Sequence, residues 1–263
     1  MKSRFMRVIA LLAALTLLAG MAAVPAMAQG TSRAAYKTLR KGDKGENVAV
    51  MQQRLKQLGC LYGKVDGIFG VDTYDAVRRF QATLNIEATG VASGALQQRM
   101  YQKNAPKYNR YVSVGYRQKG IRVKDLQRKL KGLGYPYVKV NGVFDAATLK
   151  AVRLFQGDNG FKETSKMSAT NLKRLYGGKA AKFVKYAMLE RGDRGYRVKL
   201  MQARLKALGY LKGTVGGSYD QKTASAVSAF QKRARISVTG KAGVVTLKKL
   251  YSKNAPRAPK TNI

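Results

Sequence analysis

A tyrosine beside a lysine recurs along this chain in the segments Tyr62-Gly63-Lys64, Tyr135-Pro136-Tyr137-Val138-Lys139 and Tyr210-Leu211-Lys212. A tyrosine face packs on a sugar or peptide plane while its hydroxyl donates a hydrogen bond, and a lysine pairs with a carboxylate or phosphate. These pairs predict binding rather than bond breaking. The candidate ligand contacts are Tyr62, Lys64, Asp66, Tyr137, Lys139, Tyr210 and Lys212, with Asp66 supplied by the adjoining glycine turn. The competing reading of the same segments is a solvated loop with one tyrosine folded onto a core.

Residues suited to catalysis are scarce. The chain has no histidine, which excludes Ser-His and Cys-His nucleophilic pairs and the commonest zinc ligand. It has 13 acidic residues, and Asp43, Asp66, Asp72 and Asp193 fall at turn and cap positions rather than in facing pairs of the kind a glycosidase needs. Neither a catalytic residue, a metal site nor a cofactor is expected. The lone cysteine, Cys60, rules out an internal disulfide and sits where the other copies have Tyr135 and Tyr210, so a half-buried structural position is expected for it.

The elements that must carry these residues repeat at a fixed period. Leu58-Gly59, Leu133-Gly134 and Leu208-Gly209 lie 75 residues apart, as do Phe80-Gln81, Phe155-Gln156 and Phe230-Gln231. A constant period of this kind marks repeated structural units. Val48, Met51, Leu55 and Leu58 line one helical face, copied by Val123, Leu126, Leu130, Leu133 and by Val198, Met201, Leu205, Leu208. Gly59, Gly134 and Gly209 end that helix at low conformational cost. A Gly-rich turn with one aromatic plug follows, then a second helix lined by Ala76, Val77, Phe80 and Leu84, in which Gln81 is expected to tie loop backbone by its side chain. Asp72 or Thr73 is a candidate cap for it. A shorter third helix starts near Ser93 and ends near Tyr101, with copies ending at Tyr176 and Tyr251. The fold class is therefore all-α, three tandem small three-helix bundles.

The units are placed at 37–102, 112–177 (a divergent copy) and 187–252, with a basic tail at 253–263. Pro106 in one linker and Gly177-Gly178 in the other predict that the orientation between modules is loose. Ahead of them, Lys2, Arg4 and Arg7 precede an apolar run from Val8 to Ala23, and Ala26-Met27-Ala28 has the small-residue pattern of a cleavage site. Residues 1–28 are expected to be a cleaved secretory signal peptide, with an uncleaved anchor as the competing reading. Lys and Arg number 51 against the 13 acids, a net charge of +38, and the basic residues spread over all three units. A dispersed cationic field favours an extended polyanion over one small ligand.

The motifs Leu39-Arg40-Lys41-Gly42-Asp43-Lys44-Gly45, Gln52-x-x-Leu55, Leu58-Gly59, Asp66-Gly67-Ile68-Phe69-Gly70, Thr73, Ala76-Val77, Phe80-Gln81 and Thr89-Gly90 resemble the peptidoglycan-binding domain family 1. The resemblance covers residues 39–101, 114–176 and 189–251. The third unit departs at Gly216-Gly217-Ser218-Tyr219-Asp220, and the middle one has Arg117-Gln118 for Gly-Asp and Ser165 for the closing glycine. The resemblance implies a three-helix module that binds bacterial cell-wall peptidoglycan and is usually joined to a hydrolase or transpeptidase. Only short linkers and the tail lie outside the three units, so no catalytic domain is expected in this chain. The resulting expectation is a secreted, non-catalytic wall-binding protein that uses three modules by avidity, with its charge adding attraction to teichoic acids or other anionic wall polymers. A targeting or regulatory subunit for a separate wall hydrolase is the alternative. Nonspecific polyanion or nucleic-acid binding follows in third place, because no groove-entering motif is present.

Overall fold

The computed structural model describes residues 36–259, so the signal-peptide reading of residues 1–28 and the last residues of the tail lie outside the described residues. Within that range each unit folds as three helices. The first has α1 (Glu46–Gln57), α2 (Val71–Thr83) and α3 (Gly94–Tyr101); the second α4 (Ile121–Gly132), α5 (Ala146–Asp158) and α6 (Ala169–Tyr176); the third α7 (Tyr196–Ala207), α8 (Gln221–Arg233) and α9 (Val244–Leu250). Strand pairing is confined to short closures. In the middle unit β1 (Val114–Gly115) pairs antiparallel with β2 (Lys166–Met167), and single bridges Leu39 to Ala92 and Leu189 to Ala242 do the same work in the outer two.

Each unit owns a core. Phe80, Phe155 and Phe230 are fully buried at its centre, and the aromatic plug of the glycine turn, Phe69, Phe144 or Tyr219, is buried beside them. The change from phenylalanine to tyrosine in the third unit is accommodated because the Tyr219 hydroxyl donates to the Gly240 carbonyl at 2.6 Å. Cys60 is fully buried rather than half-buried, and burial pushes its thiol up to about 12, which keeps it protonated and inert.

Two buried glutamines per unit explain most of the repeated polar residues. Gln52 Nε2 donates to Asp66 Oδ1 (2.8 Å), the Ile68 carbonyl (3.0 Å) and Thr73 Oγ1 (2.8 Å), while its Oε1 accepts from the backbone N–H groups of Asp66 and Gly67. Gln127 repeats all five bonds with Asn141, Gly142, Val143 and Thr148. Gly67 has φ 69° and a Cβ there would meet the Gly45 carbonyl oxygen at 3.3 Å, so the turn needs glycine on both counts. Gln81 ties the second loop as expected: its Nε2 donates to Thr89 Oγ1 and the Val91 carbonyl, and its Oε1 accepts from Gly90 N–H.

The divergent middle copy keeps the geometry with other residues. Asp43 Oδ2 accepts from Arg40 N–H and Asp193 Oδ2 from Glu190 N–H; Gln118 Oε1 accepts from Gly115 N–H in their place. Arg117 takes a positive φ of 72° at the position where Gly42 and Gly192 have φ of 103° and 100°. Helix starts also differ by copy. Asp145 and Asp220 cap α5 and α8 through the N–H of Thr148 and Thr223, whereas α2 starts at Gly70 without a side-chain cap, so neither Asp72 nor Thr73 has that role. Ser93 and Ser168 cap α3 and α6.

Each linker is anchored by backbone to the module before it. Tyr108 N–H donates to the Leu58 carbonyl and Phe183 N–H to the Leu133 carbonyl, each folding its linker back over the end of the preceding module's first helix. Backbone bonds of this kind leave no trace in residue type.

Candidate functional site

The aromatic and cationic residues marked in the sequence occupy unlike surroundings. Lys64, Lys139 and Lys212 are exposed. Asp66 spends one oxygen on Gln52 and on the N–H of Ile68 (2.9 Å), which holds the turn, and these bonds keep its carboxyl below the ordinary range. Tyr210 lies inward, edge-on to Phe230 at 5.5 Å, with its hydroxyl donating to the Pro256 carbonyl; Tyr135 has the equivalent place against Phe155 and Ala181. Tyr62 and Tyr137 are the tyrosines left exposed, at 46% and 48%, and Lys212 stands at their position in the third unit. Both of these tyrosines lie where successive modules meet.

The two junctions share one geometry. α2 packs on α4 and α5 packs on α7, equivalent helices in each case. Arg122 stacks on Tyr108 at 4.6 Å and donates to the Asn109 carbonyl; Arg197 stacks on Phe183 at 4.6 Å and donates to the Val184 carbonyl. From that common frame the side chains diverge. At the first junction Arg79 makes two bonds to Asp125 (2.7 and 2.6 Å) and a third to the Cys60 carbonyl (2.9 Å). Arg79 also lies over the Tyr62 ring at 4.2 Å, and Arg110 lies over Tyr62 at 4.3 Å and Tyr176 at 5.2 Å. Guanidinium groups thus fill the space between the modules. At the second junction the counterparts of Arg79, Asp125 and Arg110 are Leu154, Leu200 and Lys185.

That replacement leaves a cleft of about 680 Å³ between the second and third modules. Leu154, Leu200 and Leu247 line it with aliphatic surface, Tyr137 and Tyr251 bring aromatic faces, and Lys185 and Arg197 bring positive charge. Although Tyr251 is 42% exposed, the part of its ring set against the cleft wall is desolvated, which with Tyr137 nearby pushes its phenol up to about 12. Arg197 is already committed to Asp158 by two bonds of 2.6 and 2.7 Å. A second, more polar groove of about 690 Å³ lies on the third module between Glu190, Arg191, Gln221, Ala224, Ser228 and Lys241. In the first module Tyr74 stands at the position of Ala224, with its ring against Gly90.

Reading by the repeat alone passes over Arg79, Asp125, Tyr176 and Tyr251. The tyrosines carried a signal, since Tyr101, Tyr176 and Tyr251 recur at a helix end where no core position requires an aromatic.

The first junction is expected to weaken in acid. Burial raises the pKa of the Asp75 carboxyl, but hydrogen bonds and charge from Arg128 and Lys124 outweigh it and hold the group below the ordinary carboxylate range. A depressed folded-state value contributes stability that is complete above the unfolded pKa near about 3.9 and is lost as pH falls through the folded value. Thermal stability of the first two modules is expected to decline below about pH 4, and Asp75→Asn should flatten that acid limb while lowering stability at neutral pH. An acid limb unchanged in the variant would contradict the assignment.

The structure therefore defines a class: a tandem array of small helical binding modules joined through a repeated helix-to-helix contact. The chain belongs to the putative peptidoglycan binding domain family, whose model matches residues 44–100, 119–175 and 194–250. Among curated relatives, the spore cortex-lytic enzyme of Bacillus cereus is 42% identical over 74 residues, covering 28% of this chain and 28% of that protein. The spore cortex-lytic enzyme of Bacillus subtilis is 32% identical over 76 residues, covering 29% of this chain and 25% of that protein. The chain thus spans about a quarter of the length of these relatives. A crystal structure of the SleB N-terminal domain is 38% identical with a TM-score of 0.24, covering 25% of this chain and 89% of that one. No helix among the described residues is long and apolar enough to cross a membrane.

Proposed function

We propose that this chain is a secreted, non-catalytic protein of the bacterial cell wall that holds peptidoglycan through its three modules acting together. The observation that carries the reading is the presence of three copies of one putative peptidoglycan binding domain in a single chain, each with a closed core of its own. Weak sites linked at short range act by avidity on a polymer that presents the same motif repeatedly. The excess of Lys and Arg adds attraction to teichoic acids and other anionic wall polymers. Within the chain, the absence of histidine and the use of acidic residues in turns, caps and ion pairs support binding without hydrolysis. Tyr62, Lys64, Asp66, Tyr137, Lys139 and Lys212 are the exposed members of the proposed contact surface; Asp66 also holds its turn, and Tyr210 is packed inward and shapes the loop that carries Lys212.

The names of the relatives favour a second reading, in which the array positions a separate wall hydrolase. Recovery of such an enzyme with the tagged chain from wall extracts would support it. The primary reading is tested by sedimenting the protein with sacculi, with and without teichoic acids, while assaying the supernatant for released sugar and peptide. Pelleting with teichoic-free sacculi and an empty supernatant is expected. Released fragments would overturn the non-catalytic assignment, and pelleting only with teichoic-bearing wall would overturn recognition by the modules.

A further inference from the structure

The cleft between the second and third modules has a built counterpart whose contents show what shape it takes. At the first junction a flat guanidinium, that of Arg110, occupies the space beside Tyr62 and Tyr176, at 4.3 and 5.2 Å from the ring centres. Tyr137 and Tyr251 are the same two positions at the second junction, both about half exposed, and Lys185 at the position of Arg110 instead lies over Tyr186 at 5.1 Å. The ring pair is kept and the guanidinium that both rings share is gone; Lys150 Nζ lies over Tyr137 alone, at 5.7 Å from its centre.

What enters must have flat, weakly polar faces for the tyrosines and the leucine floor, and a polar edge for the rim. Its charge is constrained as well. Neither Lys185 nor Lys150, whose Nζ lies 5.7 Å from the Tyr137 ring centre, forms an ion pair among the described residues, whereas Arg197 is neutralised by Asp158, so the rim carries uncompensated positive charge within a strongly cationic chain. A cation is disfavoured there and an anion is attracted. A pyranose ring has two faces of mixed C–H and hydroxyl character, and a carboxylate on its edge supplies the anion.

We propose that this cleft, lined by Tyr137, Tyr251, Leu154, Leu200 and Lys185, binds a carboxylate-bearing saccharide of the wall glycan, with a sugar ring against the tyrosines and its carboxylate on Lys185. The inference rests on the wall-binding reading and narrows it to one site formed by two modules together. A single module lacks half the walls, so the site exists only because the junction holds α5 against α7.

The test uses the full chain and glycan oligosaccharides from which the stem peptides have been removed, so that each muramic acid presents a free carboxylate. Neutral N-acetylglucosamine oligosaccharides of equal length and free stem peptides are the comparison probes. Calorimetric binding is expected for the carboxylated glycan, with amide resonance shifts concentrated around residues 134–137, 183–187 and 247–251. Tyr137→Ala with Tyr251→Ala, both at exposed positions, should weaken it about tenfold or more. Leu154→Arg with Leu200→Asp and Lys185→Arg, which rebuilds the filled junction, should abolish it, and Lys185→Gln should erase the preference for the carboxylated over the neutral glycan. Equal binding by the tyrosine variant, resonance shifts elsewhere, or preference for free stem peptide would overturn the proposal. Sacculus pelleting of the same proteins separates the two claims. Pelleting without oligosaccharide binding sinks the cleft and leaves wall binding standing, whereas failure of the unaltered chain to pellet sinks wall binding itself.

Discussion

Asp125→Ala is expected to destabilise the first two modules by about 3–5 kcal/mol, because removing one member of a buried ion pair strands the other. Arg79 has only 5% of its side chain exposed and spends two of its N–H groups on that carboxylate, and the Tyr108 hydroxyl also donates to it at 3.3 Å. Replacing the whole polar set should do far less harm. The protein already contains the apolar version of this contact: Leu154, Leu200 and Phe183 stand where Arg79, Asp125 and Tyr108 stand one junction earlier. Arg79→Leu with Asp125→Leu and Tyr108→Phe is therefore expected to be neutral, or stabilising by about 1–4 kcal/mol, since hydrophobic replacement of a buried ion pair removes its desolvation cost. Chemical denaturation of the single and triple variants checks both results. A triple variant as unstable as Asp125→Ala would mean that the two junctions are not interchangeable.

The second large effect falls inside a module. Gln52→Leu keeps side-chain volume but removes five hydrogen bonds at a position only 1% exposed, leaving the N–H groups of Asp66 and Gly67 without their partner, while the Ile68 carbonyl keeps its bonds from Thr73 Oγ1 and the Gly70 N–H. Groups left unpaired in a buried setting cost about 1–3 kcal/mol each, so a loss of about 3–5 kcal/mol is expected. The loop carrying Lys64 and Asp66 should loosen before the module unfolds, which hydrogen exchange at residues 63–70 would register as lost protection. A change below about 1 kcal/mol would show that the glutamine is not the element that holds the turn.

The three-helix units were legible because burial imposes a spacing on residue types. Val48, Met51, Leu55 and Leu58 must face inward together, and all four are buried. Gly59 had to follow, and it takes a left-handed φ of 72°. Gln81 could be read as a tie because a polar residue next to a core phenylalanine needs partners. The junctions were not legible in the same way. Arg79 and Asp125 lie 46 residues apart, and the repeat replaces them by leucines, so comparison of copies makes them look like drift at surface positions. Their meaning depends on which helix faces which across a module boundary, a relation that no periodicity within one helix contains. The same holds for the candidate site. Tyr137 stood out as an aromatic the core does not need, but its partner Tyr251 belongs to another module, and Tyr210 resembled it by type while lying two positions earlier in the register.

The central claim is that the folded modules, rather than the net charge, recognise peptidoglycan. Affinity for teichoic-free sacculi measured across a salt series tests it most directly. Charge-driven association with an anionic polymer falls steeply and linearly on logarithmic axes as salt rises, with a slope that counts the ions released. The account predicts a shallow slope that levels into a salt-resistant plateau, and a weaker plateau for the variant lacking Tyr137 and Tyr251. A steep slope with no plateau, the same for both proteins, would contradict it.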